Sequence, residues 1–213
     1  MIHKLEEFTN WEQMKNQVIM GDALELLKRL PDNSIDLVLT DPPYRDIQDN
    51  QPTKDMRNNG SMANFGNKPT KEVFDHIFRV SKNQIIWGAN NFNLPPYKGF
   101  IVYKKKTISE NFTMSMAEIA YISEGLGTTS KVFECVPQDK NRKHPTQKPL
   151  KLINWVVKMY GDNCKTILDP YMGSWTTAKA CQELGRDFIG TDLEIDYCKI
   201  GERRLAEQPL FTV

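Results

Sequence analysis

The stretch KTILDPYMGSWTTAKACQELGRDFIGTDL, residues 165–193, decides the fold. It begins with an apolar run that predicts a buried strand, continues with the helical segment TTAKACQELG, and ends in RDFIGTDL, which predicts a second strand. Other strand and helix patterns alternate along the chain before it. This alternation predicts a three-layer αβα sandwich around a mostly parallel sheet.

A second strand-helix-strand pattern lies near the start of the chain, at residues 17–44. Its second strand ends abruptly in Asp41-Pro42-Pro43-Tyr44. Because proline cannot donate a hydrogen bond to a sheet, the two prolines must lie just outside it, where they stiffen the chain. We therefore expect the carboxylate and the phenol ring to be presented on a rigid platform.

The middle of the chain contains two further strands, at residues 100–103 and 117–122, with too little chain between them for a helix. They predict an antiparallel hairpin at one edge of the sheet. The segments 45–70 and 123–143 are irregular, and loops of this length in compact domains are usually functional or disordered. At 213 residues, the chain suits one domain, residues 1–213.

Charge composition gives little information about the partner, since 28 Lys and Arg face 27 Asp and Glu. A basic surface must therefore come from local clusters. One cluster is Lys104-Lys105-Lys106, and the other lies within residues 140–151.

The four cysteines show no C-x-x-C spacing and no neighbouring histidine at zinc-ligand distance, so we expect neither disulfides nor a metal site. The N-terminus has no apolar secretion signal, and no segment approaches the roughly 18 apolar residues that a membrane span needs. These features predict a protein of a reducing cytoplasm.

The carboxyl ends of parallel strands are where such sheets bind ligands, and an acid at the end of a second strand can accept ribose hydroxyls. Asp192 ends the second strand of the opening stretch, 23 residues after Asp169, and Gly173 allows backbone to approach a ligand. This pattern indicates a nucleoside-containing cofactor. The alternative is that Gly173 only turns the chain and Asp192 only caps the next helix.

A pyrophosphate cofactor is disfavoured because its fingerprint needs three glycines. Here the residues after the first strand read GSWTTAKA, with Trp175 where a second glycine would stand. A ligand without phosphates fits better, and a nicotinamide dehydrogenase is disfavoured.

Three motifs carry a resemblance to a known family: DPPY at 41–44, HPTQKP at 144–149 and LDPYMGSWTT at 168–177. The last resembles D-P-F-x-G-S-G-T-T of the S-adenosylmethionine-dependent amino-methyltransferases, which methylate the exocyclic amine of adenine or cytosine in DNA. The order of the motifs is similar to the circularly permuted beta class. The likeness covers most of residues 17–204 and implies a seven-stranded Rossmann-like methyltransferase sheet.

The resemblance implies roles for the tetrapeptide, whose members are Asp41, Pro42, Pro43 and Tyr44. Asp41 and the carbonyl of Pro42 would accept hydrogen bonds from the target amine, and Tyr44 would stack on a base flipped out of the duplex. Two fixed acceptors would favour the pyramidal nitrogen of the transition state. Asp41, where serine is more frequent in the cytosine enzymes, favours adenine-N6; cytosine-N4 and an RNA substrate stay open.

The resemblance also implies a cofactor site for S-adenosylmethionine. One group would surround the methionine part: Asp169, Tyr171, Gly173, Ser174 and Thr177. Asp192 would bind the ribose, Asp22 with Ala23 the adenine edge, and Thr146, Gln147 and Lys148 the methionine carboxylate. Asp22 has an equally simple interpretation as the N-cap of the following helix.

The expected partner is double-stranded DNA, and the setting that the family implies is restriction-modification in a prokaryotic or phage-infected cell. The loops 45–70 and 123–143 are candidates for target recognition, and a homodimer would extend that short surface. Candidate phosphate contacts are Lys104, Lys105, Lys106, Arg142, Lys143 and His144. A competing hypothesis, motivated by Trp175, is an inactive homologue in which the ring crowds the cofactor.

Overall fold

The computed structural model describes residues 1–44, 67–111, 115–137 and 147–207. Most of the loop 45–70 lies outside the described residues, and so do four expected site residues. These are Arg142, Lys143, His144 and Thr146.

One sheet of nine strands organises the described residues, in the order β1-β2-β9-β8-β3-β4-β6-β5-β7. The strands are β1 (Ile2–Lys4), β2 (Val18–Met20), β3 (Ile35–Thr40), β4 (Ser81–Trp87), β5 (Phe100–Lys105), β6 (Ala117–Ile122), β7 (Lys131–Cys135), β8 (Thr166–Asp169) and β9 (Asp187–Asp192). The α-helices are α1 (Ala23–Arg29), α2 (Lys71–Val80), α3 (Leu150–Tyr160), α4 (Thr176–Glu183) and α5 (Ile195–Ala206).

The helices cover both faces of the sheet, which confirms the three-layer αβα sandwich. Along β3, Leu37 and Leu39 belong to one core cluster and Val38 belongs to the other, as the alternation of side chains along a strand requires. Helices α1 and α2 pack on the face of Val38, and helices α3, α4 and α5 pack on the opposite face. Burial on both faces explains why this strand is apolar throughout.

The sheet is mostly parallel, as the sequence predicts. Among the described strands, only β6 runs opposite to its neighbours β4 and β5. The strand β3 lies between β4 and β8, although β8 follows it by more than a hundred residues in the chain. The two segments that carry the motifs therefore end side by side, at the carboxyl ends of the parallel strands.

Two short strands raise the count from the expected seven to nine. β1 pairs with β2, and β7 pairs with β5, so the β5–β6 hairpin exists but β7 forms the edge beyond it. β7 lies inside the segment 123–143 that we expected to be irregular. Val132 of this edge strand is 65% exposed, and Val132 and Phe133 are adjacent between Lys131 and Glu134, so the segment lacks the apolar alternation by which strands are recognised.

The described helices are all too short or too polar for any of them to cross a lipid bilayer.

Candidate active site at the carboxyl edge of the sheet

Many of the expected site residues of the described part meet where β3, β4, β8 and β9 end. Asp41 follows β3, Trp87 ends β4, and Asp169 and Asp192 end β8 and β9. A cavity opens between these strand ends and the start of α3. Its lining includes Leu39, Thr40, Asp41, Trp87, Gln147, Lys148, Ile153, Asp169, Tyr171, Met172, Gly173, Ser174, Thr176 and Thr177.

Asp169 joins the two motif-bearing strands. Its Oδ1 accepts hydrogen bonds from Thr40 Oγ1 at 2.8 Å and from the Tyr171 backbone N–H at 3.0 Å, and its Oδ2 accepts from Thr177 Oγ1 at 2.7 Å. Burial raises the pKa of Asp169 to about 6, against the effect of these hydrogen bonds. The carboxylate thus ties the end of β3 to the loop between β8 and α4.

Asp192 ties the same loop to β9. It accepts hydrogen bonds from the backbone N–H groups of Gly173 at 2.8 Å and Glu194 at 2.9 Å, and burial raises its pKa to about 7. Helix α5 has Glu194 as its N-cap, so Asp192 does not cap that helix. Gly173 has a φ of 50°, which glycine adopts without strain.

Asp22 caps α1, as its simpler interpretation predicts: it accepts from the backbone N–H groups of Leu24 at 2.8 Å and Glu25 at 3.1 Å. Burial and, to a lesser degree, the charge of Asp22 raise the pKa of Tyr171 in the loop between β8 and α4. The pairing of Met20 with the end of β9 brings this cap to the same edge. Ala23 follows as a buried residue at the start of α1.

Trp175 points away from the cavity. Its backbone φ of 61° is in the left-handed region, where a bulky residue is rare, and its indole is fully buried. The ring packs edge-on against Phe188 at 6.4 Å, and a Cβ at Gly201 of α5 would overlap it. The Trp175 ring is therefore not among the residues that line the cavity, and the crowding that suggested an inactive homologue is not seen there.

The tetrapeptide is fixed by a residue that the sequence did not single out. The Tyr44 ring lies so close to Gly88 that a Cβ there would overlap it, and the φ of Gly88 is 70°. Phe92 contacts the same ring edge-on at 6.0 Å, and the Tyr44 hydroxyl donates to Asp41 Oδ1 at 2.5 Å. A signal for Gly88 is its position directly after the apolar run Ile85-Ile86-Trp87, at the carboxyl end of β4.

Lys148 contacts the tetrapeptide Asp41–Tyr44 and not only the expected cofactor site. Its Nζ donates to Asp41 Oδ2 at 2.5 Å and forms an ion pair with Glu118 Oε2 at 2.8 Å. The side chain is 9% exposed. Burial favours the neutral amine, but Asp41, Tyr44 and Glu118 outweigh it and raise the pKa of Lys148 well above its usual value.

Glu118 of β6 was not predicted. Its second oxygen, Oε1, pairs with Lys105 Nζ at 2.6 Å. Burial alone would raise the pKa of Glu118, yet the two lysines lower it to about 2. Its position opposite Tyr103 on the neighbouring strand follows from the strand order, which the sequence pattern does not reveal.

The lysine cluster 104–106 does not form one basic face. The Lys105 ammonium lies in its ion pair with Glu118, and this side chain is only 11% exposed, which corrects its expected role as a phosphate contact. Lys104 is exposed and pairs with Glu134 at 3.1 Å, and Lys106 is exposed. Successive strand residues point to opposite faces, which explains the difference between Lys104 and Lys105.

Within the described part of the chain, no group of three or more His, Cys, Asp or Glu side chains is arranged to hold a metal ion.

Comparisons with known proteins agree with this geometry. The type II methyltransferase M.HpaI of Haemophilus parainfluenzae is 25% identical, over 90% of this chain and 74% of that protein. The DNA adenine methyltransferase YhdJ of Escherichia coli strain K12 is 24% identical, over 93% of this chain and 85% of that protein.

Solved structures show the same fold. The cytosine-N4-specific PvuII DNA methyltransferase has a TM-score of 0.63 at 15% identity, covering 88% of this chain and 85% of that one. The complex of M1.HpyAVI with S-adenosylmethionine has a TM-score of 0.55 at 20% identity, covering 96% of this chain and 99% of that one.

A family model described as DNA methylase matches residues 56–203, well over half of the 213 residues. Enzymes of this family take their methyl group from S-adenosylmethionine, and a cavity between two motif-bearing strands suits such a ligand. The chain therefore belongs to the N6/N4 DNA methylase family.

Proposed function

We propose that this chain transfers the methyl group of S-adenosylmethionine to the N6 amine of an adenine that has been flipped out of DNA into the site at Asp41. The observation that carries the proposal is the hydrogen bond from Thr40 Oγ1 to Asp169 Oδ1, 2.8 Å. It joins the residue before the tetrapeptide to the first residue of the cofactor motif. A base amine at Asp41 would thus lie next to a donor held by the loop after β8.

The residues around the cavity suit the cofactor that the family uses. Gly173 provides a backbone turn without a side chain. Asp169 is buried and Asp192 is half-buried, and both carboxylates accept hydrogen bonds from neutral donors. Trp175 leaves the cavity side open because its ring is buried behind the loop. We assign Asp192 to the ribose, Asp22 and Ala23 to the adenine edge, and the loop from Asp169 to Thr177 to the methionine part.

The cofactor supplies a methyl group activated on a sulfonium, and the protein must supply a competent amine. The lone pair of an exocyclic base amine is delocalised into the ring, so the amine is a poor nucleophile until its nitrogen becomes pyramidal. Asp41 Oδ1 accepts from Tyr44 and Oδ2 accepts from Lys148, so an amine hydrogen would take Oδ2 in place of the Lys148 ammonium. The Pro42 carbonyl would accept the other hydrogen, and the two acceptors would favour the pyramidal geometry.

Tyr44 is suited to stack on the flipped base because its neighbours hold the ring in a fixed position. Gly88 lies against it and Phe92 against its edge. A ring fixed in this way would hold the base while the amine is aligned with the methyl group, and alignment supplies much of the acceleration in such transfers.

The adenine assignment depends on Asp41 as the first residue of the tetrapeptide. The test is to incubate the protein with isotope-labelled S-adenosylmethionine and DNA of mixed sequence, and then to digest the DNA to nucleosides. We expect the label in N6-methyldeoxyadenosine. Label in N4-methyldeoxycytidine would overturn the choice of base, and label appearing only with RNA would overturn the choice of polymer.

The wider setting is part of the same proposal. We assign the whole chain, residues 1–213, to one catalytic domain of the cytoplasm, with 45–70 and 123–143 as recognition segments. Since M.HpaI is named a type II methyltransferase, a role in restriction-modification is the proposed context. Sequencing DNA from a host that expresses the chain would report the modified base and its context, and sedimentation would test the homodimer.

A further inference from the structure

The Lys148 ammonium makes the two contacts that the proposed function assigns to the target base. It donates a hydrogen bond to Asp41 Oδ2 at 2.5 Å, and it lies over the Tyr44 ring, 6.0 Å from the ring centroid. The other oxygen of Asp41 is taken by the Tyr44 hydroxyl. An amine hydrogen and the ammonium therefore compete for the same acceptor.

Among the residues that the structure describes, the Lys148 ammonium is enclosed by protein groups and has no open route to bulk water. Lys148 is 9% exposed, and its Nζ is enclosed by Asp41, Glu118 and the ring of Trp87, whose centroid is 5.5 Å away. A buried ammonium without an anion is strongly destabilising. When the base takes Oδ2, the lysine needs a second anion within reach.

Glu118 is that anion. Its Oε2 is 2.8 Å from Lys148 Nζ, and this contact is an ion pair whose angles fall outside hydrogen-bond geometry, so Oε2 has not yet accepted a hydrogen bond. The Lys105 ammonium holds Oε1 at 2.6 Å. Because β6 is paired on both sides, by β4 and β5, the carboxylate is mounted on a rigid strand.

We propose that Glu118 is a positioning residue for methyl transfer, which holds the Lys148 ammonium when the target amine replaces that ammonium on Asp41. This inference rests on the proposed function, because the competitor is the base amine. Glu118 touches neither base nor cofactor in this arrangement and acts through Lys148. A merely structural Glu118 would affect folding, cofactor binding and DNA binding alike.

The first test is the full-length variant Glu118→Gln. We expect the KM for DNA to rise about tenfold, since the lysine is left with Asp41 alone, while the affinity for S-adenosylmethionine in calorimetry does not fall. Glu118→Asp, which keeps the charge, should recover most of the loss. An unchanged KM, or an equal loss of cofactor affinity, would overturn the proposal.

The matched control is Glu134→Gln. Glu134 also pairs with a lysine of β5, Lys104, at 3.1 Å, but on the surface. We expect its removal to leave the KM for DNA within about twofold of the wild-type value. If both glutamates gave the same rise, the effect would be one of general charge, and the proposal would fail.

A double-mutant cycle tests whether Glu118 acts through Lys148. In a Lys148→Met background, the change Glu118→Gln should have no further effect on the KM for DNA. A full tenfold effect in that background would contradict the proposed route.

A measurement without DNA separates this inference from the proposed function. Amine acetylation at Lys148, followed by mass spectrometry, should be slow in the wild type, slow in Asp41→Asn because Glu118 still holds the ammonium, and fast in Asp41→Asn/Glu118→Gln. Fast acetylation in Asp41→Asn alone would overturn the inference even in an enzyme that methylates DNA. Conversely, a wild type that binds S-adenosylmethionine and methylates no DNA would contradict the proposed function and leave the acetylation result to stand.

Discussion

Two pairs of carboxylates lie at the same edge of the sheet and are stabilised in different ways. At the end that we assign to the cofactor, Asp169 and Asp192 accept hydrogen bonds from hydroxyl and backbone N–H groups, and burial raises their pKa values to about 6 and about 7. At the end that we assign to catalysis, Asp41 and Glu118 contact the Lys148 ammonium. There the pKa of Glu118 falls to about 2, although burial opposes the change.

The difference shows that burial does not decide the charge of a carboxylate by itself; the nature of its partner does. At the end with Asp41 and Glu118, the ammonium groups of Lys148 and Lys105 are already in place. At the end with Asp169 and Asp192, the proposed ligand would supply further donors, among them the ribose hydroxyls that we assign to Asp192. We therefore expect the two ends to respond differently to mutation and to pH.

The largest effect should come from the catalytic end. Asp41→Ala removes the acceptor for the amine, and we expect kcat to fall by roughly 10²–10³-fold, the order seen when one transition-state hydrogen-bonding group is lost. Cofactor affinity should stay nearly unchanged. Single-turnover transfer of labelled methyl groups gives kcat, and calorimetry gives the affinity; turnover comparable to the wild type would refute the role of Asp41.

At the cofactor end, the corresponding change is Asp192→Ala. We expect it to weaken S-adenosylmethionine binding by about 1.5–3 kcal/mol, the range for a hydrogen bond to a charged group. The kcat at saturating cofactor should change little, which is the reverse of the pattern for Asp41. Calorimetry together with saturation kinetics checks both, and a fall in kcat without weaker binding would contradict the assignment.

Titration should separate the two ends without mutation. Below pH 7, Asp192 becomes protonated, and below pH 6 so does Asp169. Hydrogen bonds donated by the bound ligand would favour the ionised forms, so cofactor affinity should fall by up to about tenfold per pH unit for each group. Calorimetry between pH 8 and pH 5.5 measures this; Asp192→Asn should remove the upper step, and a flat profile in the wild type would contradict it.

In the protein without ligand, the raised pKa of Asp192 has the opposite effect on stability, because it makes the free energy of unfolding larger at low pH than at neutral pH. The pKa of Asp192 is raised from 3.8, so the folded state holds a proton that the unfolded state has lost between about pH 4 and pH 7. Its contribution to the free energy of unfolding is therefore present below about pH 4 and lost as the pH rises to 7. Urea unfolding across this range tests the sign, with Asp192→Asn as the control.

The smallest effect should come from a change in the packing behind the loop between β8 and α4, where the Trp175 indole contacts Gly201. Gly201→Ala would press a methyl group into the Trp175 indole, and we expect a loss of about 1–3 kcal/mol in the free energy of unfolding, as for other overpacked cores. Cofactor affinity should fall a few-fold. In a Trp175→Gly background the same alanine should cost nothing, and an equal loss in both backgrounds would show that the two residues are not coupled.

The sequence predicted the parts of the site that depend on order along the chain. Asp41, Asp169 and Asp192 each end an apolar run, and parallel strands bring such ends to one edge. The helix cap formed by Asp22 is equally local. These residues could be assigned before the structure because short-range patterns determine them.

The features that the sequence did not predict depend on strand order and on contacts between distant segments of the chain. Glu118 faces the site only because β6 lies between β4 and β5, and Lys105 turns inward to meet it. Glycine is needed at position 88 because a Cβ there would overlap the ring of Tyr44, which lies 44 positions earlier in the chain. The edge strand β7 escaped detection because its exposed side chains carry no apolar alternation.

The fit between Trp175 and Gly201 also constrains how this sequence could have arisen by single substitutions. Any side chain at position 201 would overlap the indole, so tryptophan at 175 fits without strain only where glycine stands at 201. A chain with tryptophan at 175 and a larger residue at 201 would carry the cost of that overlap, about 1–3 kcal/mol for alanine. The glycine in α5 is thus a permissive change, and position 201 is closed to further variation for as long as the tryptophan persists.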